Sequence, residues 1–142
     1  MSKTLHPEEK QSVLIVEDSE DFSNLMKFVL EDMGYAGVQF PVDEDDVIKW
    51  ATEHKPIVIL MDLALRRKTG MEFIDELKGD AATRNIPIII ITGRDLSSKE
   101  ILALQMKDVK YLRKGRIEMH EIKQAITEAA SHTRAASAPR EK

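Results

Sequence analysis

Ile57-Val58-Ile59-Leu60-Met61-Asp62 is the stretch whose reading decides the fold. It is apolar at every position until it ends on a carboxylate. A strand with one face in water alternates apolar and polar residues; a strand apolar throughout is covered on both faces, as in a parallel sheet. The same reading applies to Val13-Leu14-Ile15-Val16, which ends on Glu17-Asp18, and to Ile86 through Ile91, which ends on Thr92-Gly93. Pro87 falls at the start of that last strand, where its missing N–H is tolerated. Val109-Lys110-Tyr111-Leu112 is a fourth strand, and Ala36 through Phe40 a weaker fifth.

Between the strands the apolar period changes from two to about 3.6. Phe22, Leu25, Met26, Val29 and Met33 mark one face of a long helix, with Ser19 as its N-cap, Glu20 and Asp21 in the first turn, and Gly34 at its end. Val47, Trp50, Ala51 and His54 mark a second helix. Met71, Ile74 and Leu77 mark a third that ends near Gly79, Leu96 to Met106 gives a less regular fourth, and Met119, Ile122, Ile126 and Ala129 mark a fifth. Strand and helix thus alternate five times. Right-handed crossovers then build an α/β sandwich of three layers. The expected fold is flavodoxin-like: a doubly wound five-stranded parallel sheet in the order 2-1-3-4-5, flanked by five helices. Residues 1–11 read as a polar leader, 12–130 as the folded domain, and 131–142 as a flexible tail.

Composition narrows the function. At 142 residues the chain has the length of one domain, with enough core to fold without a disulfide or structural metal. It is 42% hydrophobic and 32% charged, which fits neither a disordered chain nor a membrane protein. No apolar stretch is long enough for membrane insertion, and the first ten residues have no secretory apolar core. Cysteine is absent, so thiolate metal sites, disulfides and cysteine nucleophiles are excluded. A cytoplasmic location is expected. A net charge of −4 and 5% aromatic residues give no case for a nucleic-acid partner. The four histidines lack metal-ligand spacing, and no GxxxxGK[ST] or GxGxxG loop is present.

In a doubly wound sheet, ligands bind beyond the carboxyl ends of the strands. Those ends here carry Glu17 and Asp18, Asp62, Thr92 and Lys114. Carboxylates packed together repel by about 4 kcal/mol per pair at 4 Å and an effective dielectric near 20, so a cation must offset them. Lys114 supplies one positive charge; a divalent ion with hard oxygen ligands would supply two more. With VLIVEDSE, IVILMDLALRRKTG, IPIIIITG and YLRKG at these places, the chain resembles the receiver domains of bacterial two-component response regulators over about residues 12–130. The resemblance implies that Asp62 is phosphorylated by a histidine kinase or a histidine phosphotransfer protein, with Mg²⁺ required. It implies that Glu17, Asp18, Asp62 and the carbonyl of Ala64 hold the metal. It makes Thr92 the switch hydroxyl, Lys114 the family's lysine, and Tyr111 the aromatic switch. It further implies a signalling protein, not an enzyme of metabolism, with weak self-phosphorylation and autodephosphorylation. With no output domain after residue 130, a stand-alone receiver is expected, relaying phosphate or switching the binding of a downstream protein target that the sequence leaves unknown.

The pattern departs from the family in places. Gly115 stands where relatives usually carry Pro after the lysine, and Arg66, in the basic run Arg66-Arg67-Lys68, stands where another Pro is common. Gly93 replaces a commoner Ala, and Ala64 and Arg94 occupy the two positions that tune acyl-phosphate hydrolysis in the family. The alternative reading is a pseudo-receiver, a protein-binding module that is never phosphorylated. A haloacid-dehalogenase-like phosphatase would need a second Asp two residues after Asp62, where Ala64 stands. A flavodoxin would need a Ser/Thr-rich phosphate loop after the first strand, where the acidic pair stands.

Overall fold

Ser12–Val16 forms β1, followed by α1 (Glu20–Asp32), β2 (Ala36–Gln39), α2 (Val47–His54), β3 (Val58–Met61), α3 (Gly70–Gly79), β4 (Ile88–Thr92), α4 (Ser98–Met106), β5 (Lys110–Arg113) and α5 (Met119–Ser137). The computed structural model describes residues 10–41, 46–65, 68–116 and 118–137. Residues 1–9 of the expected leader, Arg66 and Arg67 of the basic run, and residues 138–142 of the expected tail lie outside them. All five strands are parallel, in the order β2-β1-β3-β4-β5, as the sequence predicts. Among the described residues no helix is long and apolar enough to cross a membrane.

The continuous apolar strands split their side chains between two cores. Leu14 and Val16 of β1, Ile59 and Met61 of β3, and Ile88 and Ile90 of β4 face one side, where they meet Val47, Ala51, Phe73, Ile74, Leu77 and Leu104 from α2, α3 and α4. Val13, Ile15, Val58, Leu60, Ile89 and Ile91 face the other, against Met26, Val29 and Leu30 of α1 and Ile122 and Ile126 of α5. The period of two along each strand thus feeds both layers, which is why no polar alternation shows in the sequence.

Helix starts follow the capping signals. The Ser19 hydroxyl accepts from the Phe22 amide at 3.3 Å, and Asp46 accepts from the Lys49 amide at 2.9 Å. Thr69 with Glu72 and Ser97 with Glu100 form full capping boxes. The fourth helix accordingly begins after Ser97, not at Leu96. At the other end of the chain α5 continues to Ser137, past Ser131, where the apolar periodicity fades.

One position on the α1 face differs from its sequence reading. The buried positions of α1 are Ser23, Met26, Val29 and Leu30, while Leu25 is 43% exposed. Met26 and Val29 of the expected stripe are buried and Phe22 and Met33 pack against the same core, so only Leu25 departs, its place taken by Leu30. Leu30→Ala is therefore expected to cost about 2–5 kcal/mol in urea denaturation, the usual range for a buried leucine. Leu25→Ala should stay within about 1 kcal/mol of the parent. Equal losses would refute this assignment of the face.

Candidate functional site

Three strand ends and one loop build the site at the carboxyl edge of the sheet. Glu17 directly follows β1 and Asp62 directly follows β3; the two strands are neighbours, with Val16 in register with Met61. The Asp62 amide also donates to the Val16 carbonyl at 3.0 Å. Thr92 ends β4, and Lys114 follows β5. The Lys114 amide donates to the Thr92 carbonyl at 2.8 Å, which draws the lysine backbone over the end of β4.

From there the Lys114 ammonium bridges the two acids. Its Nζ lies 2.8 Å from Glu17 Oε1 and 3.2 Å from Asp62 Oδ2. Each carboxylate is also held by a backbone amide: Ser19 N donates to Glu17 Oε2 at 3.0 Å, and Ala64 N donates to Asp62 Oδ1 at 3.2 Å. Glu17 and Asp62 are 5% and 7% exposed, Asp18 is half-buried beside them, and Ala64 is exposed. The Lys114 ammonium further lies over the ring of Phe22, 4.2 Å from its centroid.

Burial pushes the Glu17 carboxyl above its ordinary range. The Lys114 hydrogen bond and the Ser19 amide pull it back in part, and the negative charge of Asp62 adds to the rise. Burial would lower the Lys114 pKa, but its hydrogen bond and charge interaction with Glu17, reinforced by Asp62, outweigh this and raise it. One ammonium thus serves two buried carboxylates, with a third acid alongside.

The sequence expects three carboxylates gathered as metal ligands. The structure draws Glu17 and Asp62 together through Lys114, and among the described residues no group of three or more Asp, Glu or His side chains is clustered for a metal. The donor set still fits Mg²⁺. It consists of hard oxygens with an excess of negative charge, and Mg²⁺ binds through one or two carboxylates while keeping several waters.

The loop after β4 is gripped from β5. Tyr111, half-buried, donates from its hydroxyl to the Arg94 carbonyl at 3.0 Å. Arg113 donates from Nε to the Gly93 carbonyl at 2.9 Å and pairs with Asp95. Arg94 itself pairs with Glu100 at 3.2 Å. Thr92 is fully buried, and its Oγ1 accepts only a long contact, 3.5 Å, from the Arg94 amide.

Two glycines shape the site's backbone. A Cβ on Gly70 would lie 2.7 Å from the Asp62 carbonyl oxygen and 2.7 Å from the Leu63 Cα, so only glycine lets α3 start this close to Asp62. The contact of Gly70 with the Asp62 backbone has no local signal in the sequence. Gly115 takes φ +81°, a left-handed conformation that suits glycine and that proline cannot adopt. That departure from the usual Pro therefore leads to a different turn after Lys114. The roles of Phe22, Arg113 and Asp95 beside the site are likewise absent from the sequence reading, because each depends on a contact between distant segments.

Gly70→Ala should destabilise the protein by about 1–3 kcal/mol in chemical denaturation through overpacking against the Asp62–Leu63 backbone. Gly79→Ala, with open space around its Cβ, is the control. The raised Glu17 pKa sets the sign of a pH effect. The folded carboxyl holds its proton to higher pH than the unfolded one, so its contribution is most favourable below the ordinary carboxylate range and is lost as pH rises to the folded value. In chelator-treated protein, Glu17→Gln should flatten the melting temperature across that window; an unchanged pH slope would refute the argument.

Residues 13–127 match the response regulator receiver domain. The phosphate regulon transcriptional regulatory protein PhoB of Klebsiella pneumoniae is 32% identical over 102 residues, which cover 72% of this chain and 44% of PhoB. The chain thus spans less than half the length of that relative. The polar-differentiation response regulator DivK of Brucella anthropi is 34% identical over 90 residues, 63% of this chain and 72% of DivK. A CheY-like response regulator receiver domain protein of Methanospirillum hungatei has the same fold, with a TM-score of 0.77 at 18% identity over 91% of this chain and 100% of that one. With its strand order, its acidic pocket and a match across nearly the whole described fold, the chain belongs to the response regulator receiver domains.

Proposed function

We propose that Asp62 accepts a phosphoryl group from a phosphohistidine of a histidine kinase or a histidine phosphotransfer protein. The observation that carries this reading is the sharing of the Lys114 ammonium between Asp62 and Glu17 at the edge of the sheet where ligands bind. One carboxylate oxygen of Asp62 attacks phosphorus, the P–N bond to the donor imidazole breaks, and the departing nitrogen takes the electron pair. An acyl phosphate remains on Asp62. Such transfers depend on positioning and charge neutralisation more than on covalent chemistry from the protein. The Ala64 amide orients the Asp62 carboxylate, and Lys114 is placed to pair with a phosphoryl oxygen.

Glu17, Asp18, Asp62 and the Ala64 carbonyl would hold Mg²⁺. When bound, the ion supplies positive charge to the phosphoryl oxygens. The remaining steps belong to the chain. A phosphoryl group adds charge and strong acceptors. The Thr92 hydroxyl, weakly engaged in the resting protein, turns toward it. The loop from Gly93 to Asp95 follows, and Tyr111 moves with the Arg94 carbonyl to which it is bonded. The result is a biased two-state surface around α4 and β5. It switches a downstream partner or passes the phosphoryl group on to another histidine. Ala64 and Arg94 set the lifetime of the acyl phosphate.

Incubation with phosphoramidate and Mg²⁺, followed by intact mass measurement, should give one phosphoryl adduct on the parent protein and none on Asp62→Asn. The same preparation should show Mg²⁺-dependent thermal stabilisation, about 2.7 kcal/mol at one hundred times the dissociation constant. The Asp18→Ala, Asp62→Ala double variant should lose that shift. A parent protein that forms no adduct and shows no shift would instead be a pseudo-receiver that binds its partner without phosphorylation.

A further inference from the structure

We propose that Phe22 is a positioning residue for phosphoryl transfer: its ring face holds the Lys114 ammonium between Glu17 and Asp62. The proposal rests on the reading of Asp62 as a phosphoacceptor. A lysine ammonium has three N–H donors and no acceptor. Glu17 and Asp62 take two directions, at 2.8 and 3.2 Å. The ring of Phe22 covers another side, with Nζ 4.2 Å from its centroid. The face of an aromatic ring is the negative side of its quadrupole and attracts a cation within about 6 Å. An aliphatic side chain would fill the same space without that attraction.

The ring is fixed by the residues that fix Glu17. Ser19 donates its amide to Glu17 Oε2 at 3.0 Å, and its hydroxyl accepts from the Phe22 amide at 3.3 Å. Glu17, Ser19, Phe22 and Lys114 therefore close a ring of contacts within one turn of chain and one lysine side chain. The N-cap of α1 thereby sets both the acid and the aromatic face against the ammonium.

This arrangement suits a lysine that must move. When Asp62 gains a phosphoryl group, the ammonium has to leave a carboxylate oxygen for a phosphoryl oxygen. A hydrogen-bond acceptor in place of Phe22 would hold Lys114 at one point. A ring face attracts it over a broad area, so it can shift without breaking a directional bond, and that side stays shielded from water.

The test uses Phe22→Leu, Phe22→Tyr and site-specific replacement of Phe22 by a trifluorinated phenylalanine, which keeps the ring shape but drains its negative face. In protein free of metal and donor, NMR should show the Lys114 ε-methylene protons shifted upfield by the ring in the parent and in Phe22→Tyr. That shift should vanish in Phe22→Leu. With phosphoramidate and Mg²⁺, the rate of adduct formation should fall about tenfold in Phe22→Leu, fall to an intermediate value with the fluorinated ring, and stay within about twofold in Phe22→Tyr. An unshifted Lys114 in the parent overturns the proposal. So does a fluorinated protein as fast as the parent, which would reduce Phe22 to packing. If no variant, nor the parent, forms an Asp62-dependent adduct, the phosphoacceptor reading fails by itself, and the NMR comparison still decides whether Phe22 places Lys114.

Discussion

One ammonium shared by two buried carboxylates constrains the rest of this structure. Two acids at the ends of adjacent parallel strands repel, and neither can be left buried without a partner. Lys114 is the only counter-charge recorded in contact with Asp62 and Glu17 among the described residues, and it starts from the far side of the sheet. The ends of β5 and β1 are three strand spacings apart, about 14 Å. A lysine side chain alone does not cover that span. The gap is closed from both sides: the Lys114 amide bonds to the Thr92 carbonyl and carries the residue over β4, while Glu17 reaches back with one more methylene than an aspartate would have. Strand order, the turn through Gly115 and the length of Glu17 are parts of one solution.

The same strand that delivers Lys114 also controls the loop that carries Thr92. Tyr111 and Arg113 are two residues apart on β5 and so point to the same side of the sheet. Tyr111 holds the Arg94 carbonyl, and Arg113 holds the Gly93 carbonyl and Asp95. Leu112, between them, packs with the α1 and α5 core. Under the proposed function, a change at Asp62 therefore reaches β5 by two routes. One runs through the Lys114 side chain, and the other through Thr92 and its loop. The two routes meet within four consecutive residues, Tyr111 to Lys114.

Much of this was legible in the sequence, for physical reasons that also explain the remainder. Strands buried on both faces cannot hide their composition, so Val58–Met61 and Ile88–Ile91 announce a parallel sheet, and the alternation with helices leaves few topologies. The residues at the strand ends follow from the sheet, so Glu17, Asp62, Thr92 and Lys114 could be named before their contacts were seen. What stayed hidden depends on side-chain direction or on close approach. Leu25 fits the helical period as well as Leu30 does, and only packing against the sheet decides between them. Nothing local to Gly70 reveals that the Asp62 carbonyl lies 2.7 Å from where its Cβ would be. The pairing across the sheet is hidden for the same reason: it is Lys114, just after the strand farthest from β1 on that side, that joins Glu17 to Asp62.

The distribution of buried side chains also indicates which part of the fold can respond at low cost. α1 buries Ser23, Met26, Val29 and Leu30, and α3 buries Gly70, Phe73, Ile74 and Leu77. α4 buries Leu104 alone, and leaves Leu102 55% and Met106 79% exposed. Segments with few buried apolar contacts open and shift at a fraction of the global unfolding free energy. α4 is also the helix that continues the loop held by Tyr111 and Arg113. The element tied most directly to Thr92 is thus the one least anchored to the core, while α1, which carries Phe22 and begins beside Glu17, is among the firmest. Under the proposed function, a site with one firmly packed wall and one loosely packed wall converts a local charge change into motion on the α4 side, where Leu102 and Met106 present apolar surface to solvent.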